Sequence, residues 1–144
     1  MIAIDTNILV YAHREDVEWH ERASAAVARL AESSQEWAIP WPCLHEFLAI
    51  VTHPRIFRTP TPLDLAVGQV DAWLESPTLV VLSENDQYLE SFREVVLSSR
   101  VTGARVHDAR VAALCLSHNI REIWSADRDF SVFRQVTLRN PLVG

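Results

Sequence analysis

Five acidic residues stand where this chain leaves or enters regular structure. Asp5 follows the apolar stretch MIAI and is itself followed by Thr6 and Asn7. Glu46 lies in WPCLHEFLAIV, Asp108 in RVHDARVAALCLSH, and Asp127 and Asp129 in SADRDF, directly after REIWS. Each has an ordinary explanation. Asp5 can cap the next helix, Glu46 can pair with an arginine, Asp108 suits the positive end of a helix, and one of Asp127 and Asp129 can cap a turn. Their joint placement is harder to explain that way. Two carboxylates about 4 Å apart repel by roughly 4 kcal/mol at an effective dielectric near 20. A cluster of them stays partly protonated unless a cation joins it. Hard carboxylate oxygens select Mg²⁺ or Mn²⁺ over soft metals. Such a site suits phosphodiester hydrolysis, with one ion activating water and a second able to stabilise the leaving oxygen.

The surroundings of two of these acids point the same way. On the helix around Glu46, Leu44, Phe47, Leu48 and Val51 form the core stripe, and Cys43 and Ile50 flank the glutamate one turn away. That pattern predicts a half-buried carboxylate, which is rare without a partner. Asp108 has Ala104, Val111 and Ala112 one turn away and Cys115 two turns on, which places it in a closely packed apolar setting.

The elements that must position these residues alternate along the chain. Short strands are expected at 1–4, 36–40, 78–82, 121–125 and 135–138. Helices are expected at 6–12, 18–33, 43–52, about 62–76, 85–99 and 105–118. Pro40 and Pro42 are read as ending the second strand. HPRIFRTPTP (53–62) is a proline-broken loop, and Thr61-Pro62-Leu63-Asp64 is a helix start with Thr61 as its cap. Continuously apolar strands between helices indicate a parallel sheet covered on both faces. In such sheets ligands bind beyond the carboxyl ends of the strands, where Asp5 and Asp127 fall. There is no internal repeat and no domain boundary, so residues 1–144 are expected to form one domain.

Composition narrows the classes further. All 13 basic residues are arginine, so mechanisms that need a catalytic or phosphate-binding lysine are excluded. This disposes of a phosphotransfer domain with an aspartate after its first strand, which depends on such a lysine. The formal net charge of -6 argues against an ordinary basic nucleic-acid face. Acids gathered around a metal, with arginines elsewhere, remain compatible with RNA. Cys43 and Cys115 form no metal or disulfide pattern and are expected as buried, reduced thiols of a cytoplasmic protein. No apolar run approaches the ~20 residues of a membrane span, and the N-terminus lacks the pattern of a secretion signal. His45 and His107 each precede an acid, but neighbours on a helix point about 100° apart, so they are not expected as co-ligands. Arg55, Arg58, Arg100 and Arg105 are candidates for phosphate contacts. Trp41, Phe57 and Trp124 are candidates for a cleft edge.

The DTN triplet after the first strand, Glu46, Asp108 in HDARVAAL and Asp127 in SADRDF, in this order and spacing, resemble a PIN domain. Over nearly the whole chain they resemble the VapC-type toxins of toxin–antitoxin pairs. The resemblance implies an α/β/α sandwich around a parallel sheet of strand order 3-2-1-4-5. It implies a Mg²⁺- or Mn²⁺-dependent endoribonuclease held inactive by a cognate antitoxin, in which Asp5, Glu46, Asp108 and Asp127 are the metal-site acids. Asp127 is preferred to Asp129 for the fourth position, and Thr6, Asn7 and Asp129 are supporting residues. The helices at 18–33 and 62–75 carry enough apolar surface to support a homodimer or an antitoxin groove. The competing reading is a catalytically silent scaffold of the same fold that only binds a partner.

Overall fold

The computed structural model describes residues 1–144. The chain order is β1 (Ile2–Ile4), α1 (Thr6–His13), α2 (His20–Glu32), β2 (Trp37–Pro40), α3 (Trp41–Val51), α4 (Leu63–Leu74) and β3 (Leu79–Leu82), continuing with α5 (Tyr88–Ser99), α6 (Val106–Ser117), β4 (Glu122–Trp124) and β5 (Thr137–Arg139). Short 3₁₀ turns at Gly103–Arg105 and Arg128–Val132 complete it. The five strands form one sheet in the order β3-β2-β1-β4-β5, and every pairing is parallel. This is the expected three-layer α/β/α architecture.

Strands β1, β2 and β3 read as unbroken apolar runs, as covered strands do, whereas the edge strand β5 (Thr137–Arg139) is polar and largely exposed. Ala3, Ile4, Trp37, Ala38, Ile39 and Ile123 have no exposed surface. Helices α1, α2, α3 and α4 pack together as one layer, and α5 packs on α6 in the other. The sheet grows one way from β1 through β2 to β3 and the other way through β4 to β5. The strand order therefore reverses beside β1, and the crevice beyond the ends of β1 and β4 is where such sheets place a ligand site.

Two helices must be held firmly for Glu46 and Asp108 to meet. Phe47 anchors α3: it is fully buried and packs edge-on against Trp73 of α4 at 4.8 Å and His13 of α1 at 5.3 Å. Truncating such a residue to alanine costs about 3–5 kcal/mol. Helix α6 presents buried Ala109, Ala112, Ala113 and Cys115, small side chains that let its backbone approach its neighbours closely. Gly103 opens the turn leading into α6 at φ 61°, in the left-handed region where a Cβ is costly.

Several local expectations are corrected. Pro42 does not end β2. It lies in the first turn of α3, where its missing N–H is no loss. Thr61 does not cap α4, because Pro62 occupies the cap position. The Thr61 hydroxyl instead meets His13 Nε2 at 3.1 Å and Arg14 Nη1 at 3.2 Å. Arg14 also donates to the Thr59 carbonyl and lies 4.0 Å from the centre of the Phe57 ring. The 53–62 loop is thereby tied to the end of α1. No helix is long and apolar enough to cross a membrane.

Candidate active site

Asp5 is both a helix cap and the centre of a hydrogen-bond network. The parallel register pairs Ile4 with Trp124, and the Asp5 N–H continues the ladder to the Trp124 carbonyl at 2.9 Å. The next residues of the two strands, Asp5 and Ser125, therefore face each other. Asp5 Oδ1 accepts from the Thr6 N–H at 2.8 Å and from the Cys43 thiol at 3.7 Å. Asp5 Oδ2 accepts from the Ser125 hydroxyl at 2.7 Å. The Ser125 oxygen in turn accepts from Asn7 Nδ2 and from the Asp127 N–H, each at 3.1 Å. Asn7 Oδ1 accepts from the Ala126 N–H at 3.0 Å, so Asn7 clamps the segment after β4 with both ends of its amide. Asp127 Oδ1 accepts from the Asp129 N–H at 2.9 Å and caps the 3₁₀ turn that follows. Thr6 is buried, and its Oγ1 has no hydrogen-bond partner.

Ser125 is the residue that reading the sequence missed. It is 1% exposed and joins Asp5, Asn7 and Asp127. The signal for it was the strand order: once β4 lies beside β1, the residue after β4 must sit opposite the residue after β1.

The acids sense one another electrostatically. Asp5 holds its proton more tightly than an ordinary carboxyl, first because its carboxyl is enclosed, and then because of the Asp108 charge, against the opposing hydrogen bonds from Ser125 and Thr6. Glu46 is raised by lost hydration and then by the charges of Asp5 and Asp108. Asp108 is raised by lost hydration and then by Asp127, with Arg105 and His107 opposing and Asp129 adding a smaller push. Asp5, Glu46, Asp108 and Asp127 thus belong to one field, and Asp127 acts on Asp108 more strongly than Asp129 does.

The setting of Glu46 differs from the expected half-buried face. His45, Glu46 and Ala49 are exposed, and Glu46 stands on the rim of a cavity of about 280 Å³. Its other lining residues are Pro42, His45, Ala49, His107, Arg110 and Val111. Asp108 lies in the first turn of α6 with its carboxylate 3.7 Å from Arg105 Nε. Arg105 also donates to the Asp129 carbonyl at 2.7 Å, linking the start of α6 to the loop after β4. No three His, Cys, Asp or Glu side chains are drawn into a set that would enclose an ion. The donors at hand are hard oxygens, half open to water. That suits a divalent ion that keeps several waters and takes one or two carboxylates directly.

Of the four candidate arginines, Arg105 lies against the acids. Arg55 and Arg58 are exposed in the 53–62 loop, and Arg100 caps the end of α5 in the left-handed conformation at φ 58°. None of these three pairs with an acid. Arg110, which the sequence did not single out, lines the cavity beside Glu46 and lies 3.8 Å from Glu84. Trp41 is 40% exposed at the start of α3 and stacks on His45, whereas Phe57 packs under Arg14 and Trp124 is buried in β4. Both cysteines are buried and free, as expected. Burial pushes the Cys115 thiol up to about 12 and raises Cys43 strongly. Another cavity of similar volume, between α5 and the end of α6, is lined by Glu90 and Glu94 and borders none of the five candidate site acids.

The model of the PIN domain matches residues 2–136. The chain is 35% identical over 144 residues to ribonuclease VapC43 of Mycobacterium tuberculosis, covering all of this chain and 97% of that protein. It is 29% identical over 140 residues to ribonuclease VapC48 of the same species, covering 97% of each. Among solved structures, VapBC2 from Rickettsia felis bound to a promoter DNA fragment has a chain that superposes with a TM-score of 0.72 at 18% identity, covering 97% of this chain and 98% of that one. VapC20 of M. tuberculosis, described as a sarcin–ricin-loop-cleaving toxin, superposes with a TM-score of 0.64 at 19% identity, covering 91% and 93%. With Asp5 and Asp127 at the switch point of a 3-2-1-4-5 sheet and these relatives spanning its length, the chain belongs to the PIN-domain family, among the VapC proteins.

Proposed function

We propose that this protein is a divalent-metal-dependent endoribonuclease and the toxin of a toxin–antitoxin pair, its whole chain acting as one nuclease domain. The observation that carries the reading is the β1–β4 junction, which holds Asp5 by both oxygens beside the loop of Asp127, together with Asp5, Glu46 and Asp108, each raised in proton affinity first by lost hydration and further by the charge of another acid. Carboxylates that repel one another destabilise the fold on their own, and a cation would relieve the repulsion. Asp5, Glu46, Asp108 and Asp127 are the residues that would hold Mg²⁺ or Mn²⁺. The partnerless Thr6 Oγ1 beside Asp5 is a further oxygen donor consistent with that use. The bound ion would supply Lewis acidity and a water acidic enough to act as hydroxide near neutral pH.

The chain's own residues prepare that chemistry. Thr6 N–H, Ser125 and Cys43 fix both Asp5 oxygens, so the carboxylate cannot rotate away. Asn7 and Ser125 fix the loop that carries Asp127. Arg105 balances part of the charge of Asp108 and stands where it can meet a phosphate. Hydrolysis would break one P–O bond of the RNA backbone and add water across it. The antitoxin and a second copy of the chain are the proposed partners. Support comes from the exposed Leu63, Leu65, Val67 and Leu74 of α4, apolar side chains left facing solvent on one helix.

The test is cleavage of total RNA by the purified protein with Mg²⁺ or Mn²⁺, repeated with EDTA and with Asp5→Asn. Cleavage that needs the metal and disappears in the variant is expected. A wild type inert on messenger, transfer and ribosomal RNA that still binds a partner would establish the scaffold instead.

A further inference from the structure

The groove that leads away from Glu46 has a chemistry of its own. The cavity containing Glu46 adjoins a second one of about 280 Å³ lined by Trp41, Pro42, Leu82, Ser83, Glu84, Arg110 and Leu114. Pro42 and Arg110 border both, so the two cavities lie side by side along the start of α3 and α6 and together make up the groove. Trp41 lines the second cavity, and its ring stacks on His45 of the first at 5.9 Å and 27°. The other tryptophans of the strands and of α4, Trp37, Trp73 and Trp124, are all buried. The Trp41 indole is 40% exposed beside a charged cleft and is held there by its stack on His45. Arg110 is held only by Glu84, at 3.8 Å and with both side chains well exposed. Such a pair contributes at most about 1 kcal/mol, so a phosphate can displace it.

We infer that this groove receives a single-stranded RNA segment next to the scissile phosphate, with one nucleobase stacked on Trp41 and Arg110 meeting a phosphate. The inference rests on the nuclease reading for the identity of the nucleic acid and adds where the strand lies. Charge decides in favour of stacking. With 13 arginines against 19 acids the protein offers little general attraction to a polyanion. A stacking platform holds a strand without a basic face, tolerates any base, and cannot engage bases already paired in a duplex. The preformed Trp41–His45 stack fixes the indole before RNA arrives, so little side-chain entropy is lost on binding.

The test uses fluorescein-labelled RNA octamers, oligo(A) and oligo(U), with EDTA present so that no cleavage occurs, and an eight-base-pair duplex as control. Trp41→Ala is expected to weaken octamer binding about tenfold, which corresponds to about 1.4 kcal/mol. Trp41→Phe should stay within about threefold of wild type, because the ring is kept. Arg110→Gln should lower the slope of log affinity against log salt by about one. Duplex binding should not respond to Trp41→Ala. In cleavage assays Trp41→Ala should raise KM and leave kcat within about twofold. The inference is overturned if Trp41→Ala, shown folded by its melting curve, binds octamers as tightly as wild type, or if Trp41→Phe loses as much as Trp41→Ala. Cleavage by a wild type whose KM ignores Trp41 would sink the groove and keep the nuclease. Trp41-dependent octamer binding by a protein that cuts no RNA would do the reverse.

Discussion

Replacing Ser125 with alanine tests whether the β1–β4 junction is a built site or a chance meeting of polar groups. Alanine fits the same space, so the change removes one hydroxyl and little else. That hydroxyl donates to a carboxylate at 2.7 Å and accepts from Asn7 Nδ2 and the Asp127 N–H at 3.1 Å each. A hydrogen bond to a charged group is worth about 1.5–3 kcal/mol, and each donor left without a partner in a buried place adds a further penalty. Ser125 itself is 1% exposed, but the groups around it are only part-buried and can recover some hydration. The net cost is therefore about 3 kcal/mol, which lowers the melting temperature by roughly 6–12 °C for a chain of this size. Asp5 also loses the hydrogen bond that most opposes its raised proton affinity, so its carboxyl should move further up. The assay is urea denaturation of wild type, Ser125→Ala, Asp5→Asn and the double variant in EDTA. If Ser125 acts through Asp5, the two changes should couple by about 1 kcal/mol or more. A loss below about 0.5 kcal/mol that simply adds to that of Asp5→Asn refutes the network.

The remaining predictions concern charge. Asp108→Asn should fold and, in EDTA, be at least as stable as wild type, since it removes a carboxylate whose ionisation burial and Asp127 disfavour. Mn²⁺ at about 100 times its dissociation constant should stabilise wild type by about 2.7 kcal/mol. Asp108→Asn should lose at least half of that gain, and an equal gain, or a variant that fails to fold, would make Asp108 structural. In EDTA, stability should fall as pH rises from about 4 toward 7. Asp5, Glu46 and Asp108 keep their protons when folded at pH values where the unfolded chain, with ordinary values of 3.8 and 4.5, has released them, so unfolding releases protons in that window. Asp16 has the opposite sign, because the hydrogen bond from Arg14 lowers it, and its contribution is lost only below its ordinary value of 3.8. Saturating Mg²⁺ should flatten the fall, and urea midpoints unchanged between pH 5 and 7 in EDTA would argue against the coupled acids.

Local sequence determined a great deal here because its signals are short-range. Apolar runs without alternation are what strands covered on both faces need, and MIAI, WAI and LVVL met that condition wherever they lay in the sheet. The acids could be recognised because carboxylates next to small apolar neighbours are out of place, and their order along the chain carried the family resemblance. The element ends were less legible: Pro42 reads as a stop, yet in the first turn of a helix its missing N–H costs nothing. Glu46 reads as half-buried from its own helix, but exposure depends on what lies opposite, and between α3 and α6 there is a groove. Ser125, Arg110 and the Trp41–His45 stack were beyond local reading, since their meaning comes from partners far away in the chain. The sequence by itself determined the strand–helix alternation and the supply of acids. Tertiary structure alone decided that the residue after β1 faces the residue after β4, because hydrogen-bonded register, not sequence distance, sets which side chains meet.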